Sequence, residues 1–320
     1  MSLRISRQLD FSEIPLIDLR PFIDGSYNHN NKLEFLRACS DVGFIYISNH
    51  GIDPELIETL RELSKLFFNQ PMESKRQITI NQQIRGYLPL YYKSYEGEAR
   101  EGISHQQGFW IGHETPLDTK RPLDGPNQWP ENPRELKPVM LDYFSAVEQL
   151  STVLLRSFAL ALDLELNCFD SLFERPTSRL KLNHYPIQDN PQTENNIGVV
   201  PHTDSGGFTI LWQDQHGGLE IQNRQGDWVA ATPVENTFVV NLGNIMQIWS
   251  NGLFPATTHR VINRGNAERY SIPLFVNPDH SARIKPLTGH SSEELKAFKY
   301  GDYQLELWRR TFPVAGISQK

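Results

Sequence analysis

From about Arg179 the chain breaks into short, apolar, β-rich runs at close spacing, and no other feature limits the fold as strongly. The runs cover 179–185, 197–204, 207–213, 218–223, 227–231, 236–241, 246–250, 258–263 and 269–277, with Gly-Gly, Asn-Arg-Gln-Gly and Asn-Arg-Gly-Asn turn formers between them. A short strand can bury one face only against a second sheet, so a series of them has to close on itself. The pattern predicts a β-sandwich, a jelly roll or a barrel.

The flanking sequence predicts helices around that β core. Residues 31–41 carry helical apolar spacing through Leu33, Leu36 and Cys39. Phe44–Ser48 reads as a strand ending at the turn Asn49-His50-Gly51. Asp53 followed by Pro54 opens a helix with the stripe Leu56, Leu60, Leu63, Phe67. Residues 80–130, punctuated by Pro89, Pro116, Pro122, Pro126 and Pro130, read as loops and short strands. A long helix is expected over 133–164 on the stripe Met140, Phe144, Val147, Leu150, Leu154, Phe158, and the tail 291–310 turns helical again. With no internal repeat and no flexible linker, the expectation is one compact unit of α+β, mainly β, character. Its expected segments are a mixed α/β region 1–132, a connecting helical segment 133–178, the β region 179–280 and a helical tail 281–320.

Composition removes several function classes. A net charge of −7 without a basic stripe disfavours binding to nucleic acid. The two cysteines, Cys39 and Cys168, are too few for a disulfide framework or a cysteine-rich zinc module. The greasiest stretch, 153–166, is short and interrupted by Arg156, Asp163 and Glu165, so no membrane span is expected. The amino terminus has no apolar signal region, and a reducing, cytoplasmic setting is the expectation. Oligomeric state leaves no mark in the sequence. Ten histidines in a cysteine-poor chain point towards metal binding.

The sharpest cluster lies inside the β region. His202-Thr203-Asp204 puts an imidazole and a carboxylate two apart on an expected strand, where both side chains point to one face. His259 follows on another expected strand. Two imidazoles and one carboxylate are the facial donor set of non-haem Fe(II), which leaves the opposite face of the octahedron open for substrate, co-substrate and O2. A lone His-x-Asp is common, and each histidine by itself also reads as a surface or satisfied core group. Arg269-Tyr270-Ser271 repeats the two-apart relation on a strand ten residues beyond His259. The planar fork of Arg269 binds a carboxylate through two hydrogen bonds and Ser271 adds a hydroxyl. A metal with an open face beside a carboxylate clamp is what oxidative decarboxylation of a 2-oxoacid requires.

With these residues in place, the chain resembles the isopenicillin N synthase-like branch of the Fe(II)/2-oxoglutarate dioxygenase superfamily. The resemblance runs over nearly the whole length. It is carried by Ile14-Pro15-Leu16-Ile17-Asp18, Asp41-Val42-Gly43-Phe44, Asn49-His50-Gly51, Phe67-Phe68, Arg85-Gly86-Tyr87 and Asn127-Gln128-Trp129-Pro130. The β region adds Asn183-His184-Tyr185-Pro186, Pro201-His202-Thr203-Asp204, Gly217-Gly218-Leu219-Glu220-Ile221 and Gly226-Asp227-Trp228-Val229. Asn241-Leu242-Gly243, Ser250-Asn251-Gly252, His259-Arg260-Val261 and Arg269-Tyr270-Ser271 complete the set.

The resemblance implies a double-stranded β-helix, or jelly roll, flanked by helices, with 1–132 as the amino-terminal region of the non-haem dioxygenases. It implies Fe(II) on His202, Asp204 and His259, with 2-oxoglutarate and O2 as co-substrates. Arg269 and Ser271 would take the distal carboxylate of 2-oxoglutarate, Tyr185 would help hold it, and Asn183 would lie close by. The expected reaction is hydroxylation, desaturation or ring formation on a small-molecule metabolite. Tyr87, Tyr91, Tyr92, Phe109, Trp110 and Phe275 are candidates to line the substrate side, and Arg85, Lys93 and Arg100 are candidates to meet an acidic substrate. His50 and His184 are read as structural. His29, His105, His113, His216, His280 and His290 are read as surface residues.

Two readings compete. The run 266–277, Tyr300-Gly301-Asp302-Tyr303 and Gln319 also resemble isopenicillin N synthase itself, an Fe(II) oxidase that needs no 2-oxoglutarate and whose Arg-x-Ser pair holds the substrate. A non-catalytic ligand-binding protein on the same scaffold is the second, although all three ligand positions are intact. A zinc hydrolase on the same donors has no His-Glu-x-x-His and no evident general base. The chain departs from the family at Asn244, where an acid often follows the Asn-x-Gly element.

Overall fold

The apolar runs of the carboxyl-terminal half close into two facing sheets, and the amino-terminal strands extend the larger one. The computed structural model describes residues 14–90, 92–95, 101–118, 120–187, 197–263, 267–289 and 297–312, with backbone alone for 92–95 and 101–104. The strands are β1 (Leu16–Asp18), β2 (Phe44–Ser48), β3 (Gly86–Leu88), β4 (Tyr92–Tyr95), β5 (Glu101–Ser104), β6 (Gln107–Gly112), β7 (Arg179–Tyr185) and β8 (Ile197–His202). They continue as β9 (Phe208–Gln213), β10 (Leu219–Gln222), β11 (Trp228–Ala230), β12 (Phe238–Leu242), β13 (His259–Ile262), β14 (Arg269–Val276), β15 (Arg283–Ile284) and β16 (Phe298–Lys299). The helices are α1 (Arg20–Asp24), α2 (His29–Asp41), α3 (Pro54–Phe68), α4 (Met72–Arg76), α5 (Leu136–Ala161), α6 (Asn244–Trp249) and α7 (Tyr300–Thr311).

The larger sheet has eight strands in the order β1-β2-β12-β9-β14-β7-β6-β3, and the smaller has four in the order β11-β10-β13-β8. Phe44 and Tyr46 of β2, Tyr185 of β7 and Val239 of β12 meet Val199, Leu219, Ile221 and Val261 of the smaller sheet in one buried cluster. The outer face of the larger sheet is covered by helices. The α5 stripe Met140, Phe144, Val147, Leu150, Leu154, Phe158 is fully or almost fully buried there. Each such side chain contributes about 1.5–3 kcal/mol of transfer free energy. Helix α3 starts as its sequence predicts, with Asp53 accepting from the Glu55 N–H at 2.9 Å. No described helix is long and apolar enough to cross a membrane, and both cysteines are free thiols.

Several expectations need correction. Residues 246–250 lie in and just after helix α6, with no strand there. Their apolar residues fit either period over so short a run; the helix wins because its first N–H groups find partners, Asn244 on the Asp204 carbonyl at 2.8 Å and Ile245 on the Gly206 carbonyl at 3.0 Å. Gly243 permits that contact, since a Cβ there would stand 2.3 Å from the Gly206 carbonyl oxygen. The helix of the tail begins at Tyr300, and 291–296 lie outside the described residues. His105 and His280 are buried, where surface positions were expected.

Candidate active site

The register of the smaller sheet builds the site. β13 runs antiparallel to β8 with His259 directly opposite His202, and their rings approach to 4.2 Å between centroids. A carbonyl oxygen can only accept, so the contacts of His202 Nδ1 with the Val200 carbonyl (2.8 Å) and His259 Nδ1 with the Thr257 carbonyl (3.2 Å) place the proton on Nδ1 in both rings. Nε2 is thereby the nitrogen that each ring turns to a metal. Both rings direct Nε2 at Asp204 Oδ1, at 3.6 Å from His202 and 3.8 Å from His259.

Asp204 reaches this point differently from the sequence expectation. β8 ends at His202, and Asp204 sits in the loop beyond it. Its position comes from the α6 amino terminus, which holds its carbonyl, and from two donors that hold its carboxylate. Thr209 Oγ1 and Asn241 Nδ2 (2.7 Å) both donate to Oδ2, which turns Oδ1 towards the histidines. Thr209 and Asn241 were not anticipated; a buried asparagine within the apolar strand Phe238–Leu242 was the available signal, because such a group requires a partner. Burial alone would raise the Asp204 carboxyl, but the nearness of the His202 and His259 imidazoles and the Thr209 hydrogen bond outweigh it and lower its pKa. Burial, reinforced by His202, lowers His259 to about 4 and keeps it neutral. One ligand atom from each of His202, Asp204 and His259 lies within 4.8 Å of the others. This neutral-imidazole and carboxylate set, free of soft donors, fits Fe(II).

The second cluster occupies adjacent rungs of the larger sheet. β14 pairs with β7 so that Arg269 faces Tyr185 and Ser271 faces Asn183. Arg269 Nη1 donates to Ser271 Oγ at 3.3 Å and Nη2 to Gln213 Oε1 at 3.2 Å, while Nε bonds the Gly217 carbonyl. The guanidinium lies 4.7 Å from the centroid of the Tyr185 ring. Asn183 Nδ2 donates to Ser271 Oγ at 3.3 Å, and Asn183 Oδ1 is buried without a partner among the described residues. Gly198 leaves room for Tyr185, whose ring carbon would stand 2.9 Å from an added Cβ. Gln213 is a further residue that sequence reasoning missed. Arg269, Ser271, Tyr185 and Asn183 and the His-Asp-His set line one cavity of about 650 Å³ between the sheets, continued by α7.

The other expected residues divide. Trp110 and Phe275 line the cavity and stack at 5.4 Å. Tyr87 and Phe109 are buried instead in the core against α3 and α5, Phe109 because strand alternation puts it opposite Trp110 on β6. Arg85 is no exposed loop base. It is buried and donates to the carbonyls of Gln83 (2.8 Å), Ile84 and His113 (both 3.4 Å). Tyr91 and Arg100, and the side chains of Tyr92 and Lys93, lie outside the described residues. His184 points away from Asn183 and Tyr185 and stacks between Phe68 and Tyr270. His50 accepts from the Ile52 N–H at 3.1 Å, in keeping with a structural role.

Comparison with known proteins agrees with this arrangement. Residues 176–278 match the model of the 2OG-Fe(II) oxygenase superfamily, and 14–132 match that of the amino-terminal region of non-haem dioxygenases in morphine synthesis. A 2-oxoglutarate-Fe(II) type oxidoreductase of Emericella nidulans is 35% identical over 88% of this chain and 85% of that protein. A homoarginine-6-hydroxylase of Glycine max is 31% identical over 92% and 96%. Among solved structures, a full-length Neurospora crassa protein in complex with alpha-KG superposes with a TM-score of 0.80 at 30% identity, over 92% of this chain and 95% of that one. The chain belongs to the 2OG-Fe(II) oxygenase superfamily, in its isopenicillin N synthase-like branch, as an enzyme that uses Fe(II), 2-oxoglutarate and O2 on small metabolites.

Proposed function

We propose that His202, Asp204 and His259 hold the iron, and that Arg269 and Ser271 hold the distal carboxylate of 2-oxoglutarate with Tyr185 and Asn183 beside it. The observation that carries this reading is the common cavity. The carboxylate fork and the donor set stand on opposite sheets and open into the same space. When bound, the iron supplies the activation of O2 that splits 2-oxoglutarate to succinate and CO2 and oxidises a C–H bond of the substrate.

The residues supply position and exclusion of water. The Nδ1–H bonds of His202 and His259 fix which nitrogen each ring offers. Thr209 and Asn241 fix which oxygen Asp204 offers. The Arg269 guanidinium is held against Tyr185 by one Nη1 bond to Ser271 and one Nη2 bond to Gln213, so the second N–H of each Nη meets an incoming carboxylate pre-oriented. Val199, Leu211, Leu219 and Val261 form the apolar wall around it. The test is anaerobic titration of Fe(II) and then 2-oxoglutarate, followed by the visible charge-transfer band of the complex. The band is expected in the wild type and absent in His202→Ala; a band of full strength in His202→Ala would contradict the ligand assignment.

A further inference from the structure

One face of β14 runs the length of the cavity. Arg269, Ser271, Pro273, Phe275 and, one residue past the strand, Asn277 are spaced two apart and all line it. Arg269 and Ser271 belong to the co-substrate clamp. Asn277 lies six residues beyond Ser271, about 20 Å of extended chain. The metal set falls between them, because Phe275 pairs with Thr209 of β9 and Thr209 donates to Asp204. Asn277 therefore stands on the far side of the metal from the clamp, at the end of the cavity left for the substrate.

That end is built from carboxamides and hydroxyls. Asn277 is only 3% exposed. Its backbone N–H goes to Ser178 Oγ at 3.3 Å, and its side-chain amide has no hydrogen-bond partner among the described residues. Gly206 admits this amide, since a Cβ there would stand 2.1 Å from Asn277 Oδ1. The Gly206 carbonyl also takes the Ile245 N–H at 3.0 Å, which brings the start of α6, with Asn244, to the same place. The Asn244 amide donates to the Tyr303 hydroxyl oxygen and opposes the rise that burial gives that hydroxyl. Asn244 keeps Oδ1 as an acceptor, and Tyr303 keeps its own proton to give. Gln304, next to Tyr303 on α7, accepts from the Tyr300 hydroxyl at 2.6 Å through Oε1, and its Nε2 has no partner among the described residues. Asn244, Tyr303 and Gln304 all line the cavity.

The charged groups of the lining are engaged elsewhere. Arg310 bonds Glu306 at 2.7 Å, and Lys181 bonds Gln106 Oε1 at 3.3 Å. Arg179 gives donors to the carbonyls of Thr177 (2.8 Å), Ser178 (3.0 Å) and Leu123 (2.6 Å). An ion brought to the Asn277 end would lose hydration against neutral groups, whereas an uncharged amide finds acceptors for its N–H and donors for its carbonyl.

We propose that the substrate is an uncharged molecule with an amide edge, a carboxamide or lactam, read by Asn277 and Asn244 on the far side of the metal from the clamp. The proposal rests on the reading of this cavity as the oxygenase site and adds the substrate class to it. Phe275, one step along the same face and stacked on Trp110 at 5.4 Å, offers the apolar surface beside that edge.

The test uses the full chain, loaded anaerobically with Fe(II) and saturating 2-oxoglutarate. Benzamide and phenylacetamide are compared by equilibrium dialysis with their carboxylates and their amidines, which hold nearly the same shape at charges of about −1 and +1. The charge-transfer band and the melting temperature are recorded on the same samples. At least one amide is expected to bind the wild type about tenfold or more tighter than both of its charged counterparts. Asn277→Ala and Asn244→Ala are each expected to reduce that preference. Asn277→Asp, which keeps the shape and adds a charge, is expected to turn it towards the amidine, a shift that a merely structural role would not produce. Equal binding across every set, no binding by any amide, or a preference unchanged in all three variants overturns the proposal. A missing band in the wild type contradicts the cofactor assignment alone, because dialysis still decides the amide preference.

Discussion

Asn241 donates from Nδ2 to Asp204 Oδ2 at 2.7 Å, while the histidines face the other oxygen of the same carboxylate. With Thr209 on the same Oδ2, this bond decides which oxygen the metal meets. Asn241 is therefore a positioning residue, and Asn241→Leu is expected to weaken Fe(II) binding by about 10–100-fold. A Fe(II) titration checks this, with the melting temperature of the metal-free protein as a control for folding. An unchanged Fe(II) affinity in a folded variant would remove Asn241 from the account.

Arg269→Lys separates the two clusters. Lysine keeps the charge but cannot reproduce a fork whose Nη atoms bond Ser271 and Gln213 while the guanidinium lies over Tyr185. The KM for 2-oxoglutarate is expected to rise about tenfold or more while Fe(II) affinity stays as in the wild type. A variant that matches the wild type in 2-oxoglutarate KM would show that the clamp lies elsewhere.

His184 gives a pH signature away from the metal. Burial between Phe68 and Tyr270 lowers its pKa from 6.5 to about 4, with the Glu268 carboxylate opposing that shift only in part. The unfolded chain takes up a proton near pH 6.5 and the folded chain does so only near pH 4, so stability falls as pH drops through that window. The melting temperature of the metal-free protein is expected to decline from about pH 7 to about pH 4, and less steeply in His184→Gln. An equally steep decline in the variant would assign the loss to other groups.

Trp249 tests the helix that replaced an expected strand. It is fully buried, with Phe169 at 5.1 Å and Phe173 at 5.9 Å between ring centroids. Trp249→Ala is expected to cost about 3–5 kcal/mol in chemical denaturation. Because α6 also holds the Asp204 carbonyl, the same variant is expected to bind Fe(II) more weakly. A loss of stability below about 1 kcal/mol would mean that α6 is not anchored through this ring.

Much of the site was legible because its chemistry needs particular residue types at fixed intervals. His202, Asp204 and His259 stood out as hard donors in a β context, and Arg269 and Ser271 as a two-apart pair on a strand. What escaped depends on tertiary contact. Asp204 sits past the strand end and owes its place to α6, whose apolar residues Ile245, Met246, Ile248 and Trp249 satisfy a helix and a strand equally well over so few positions. Asn241, Thr209 and Gln213 are ordinary polar residues until the fold sets them against a carboxylate or a guanidinium. His105 and His280 carry no partner pattern in the sequence, and only packing decides that they are buried.

The most direct test of the account is oxygen uptake by the Fe(II)-loaded protein with and without 2-oxoglutarate, with succinate measured in the same samples. Uptake that requires 2-oxoglutarate, yields succinate and disappears in Asp204→Ala is the expected result. Uptake that proceeds unchanged when 2-oxoglutarate is left out would contradict it and place the chain with the oxidases that turn the same Arg-x-Ser pair to their substrate.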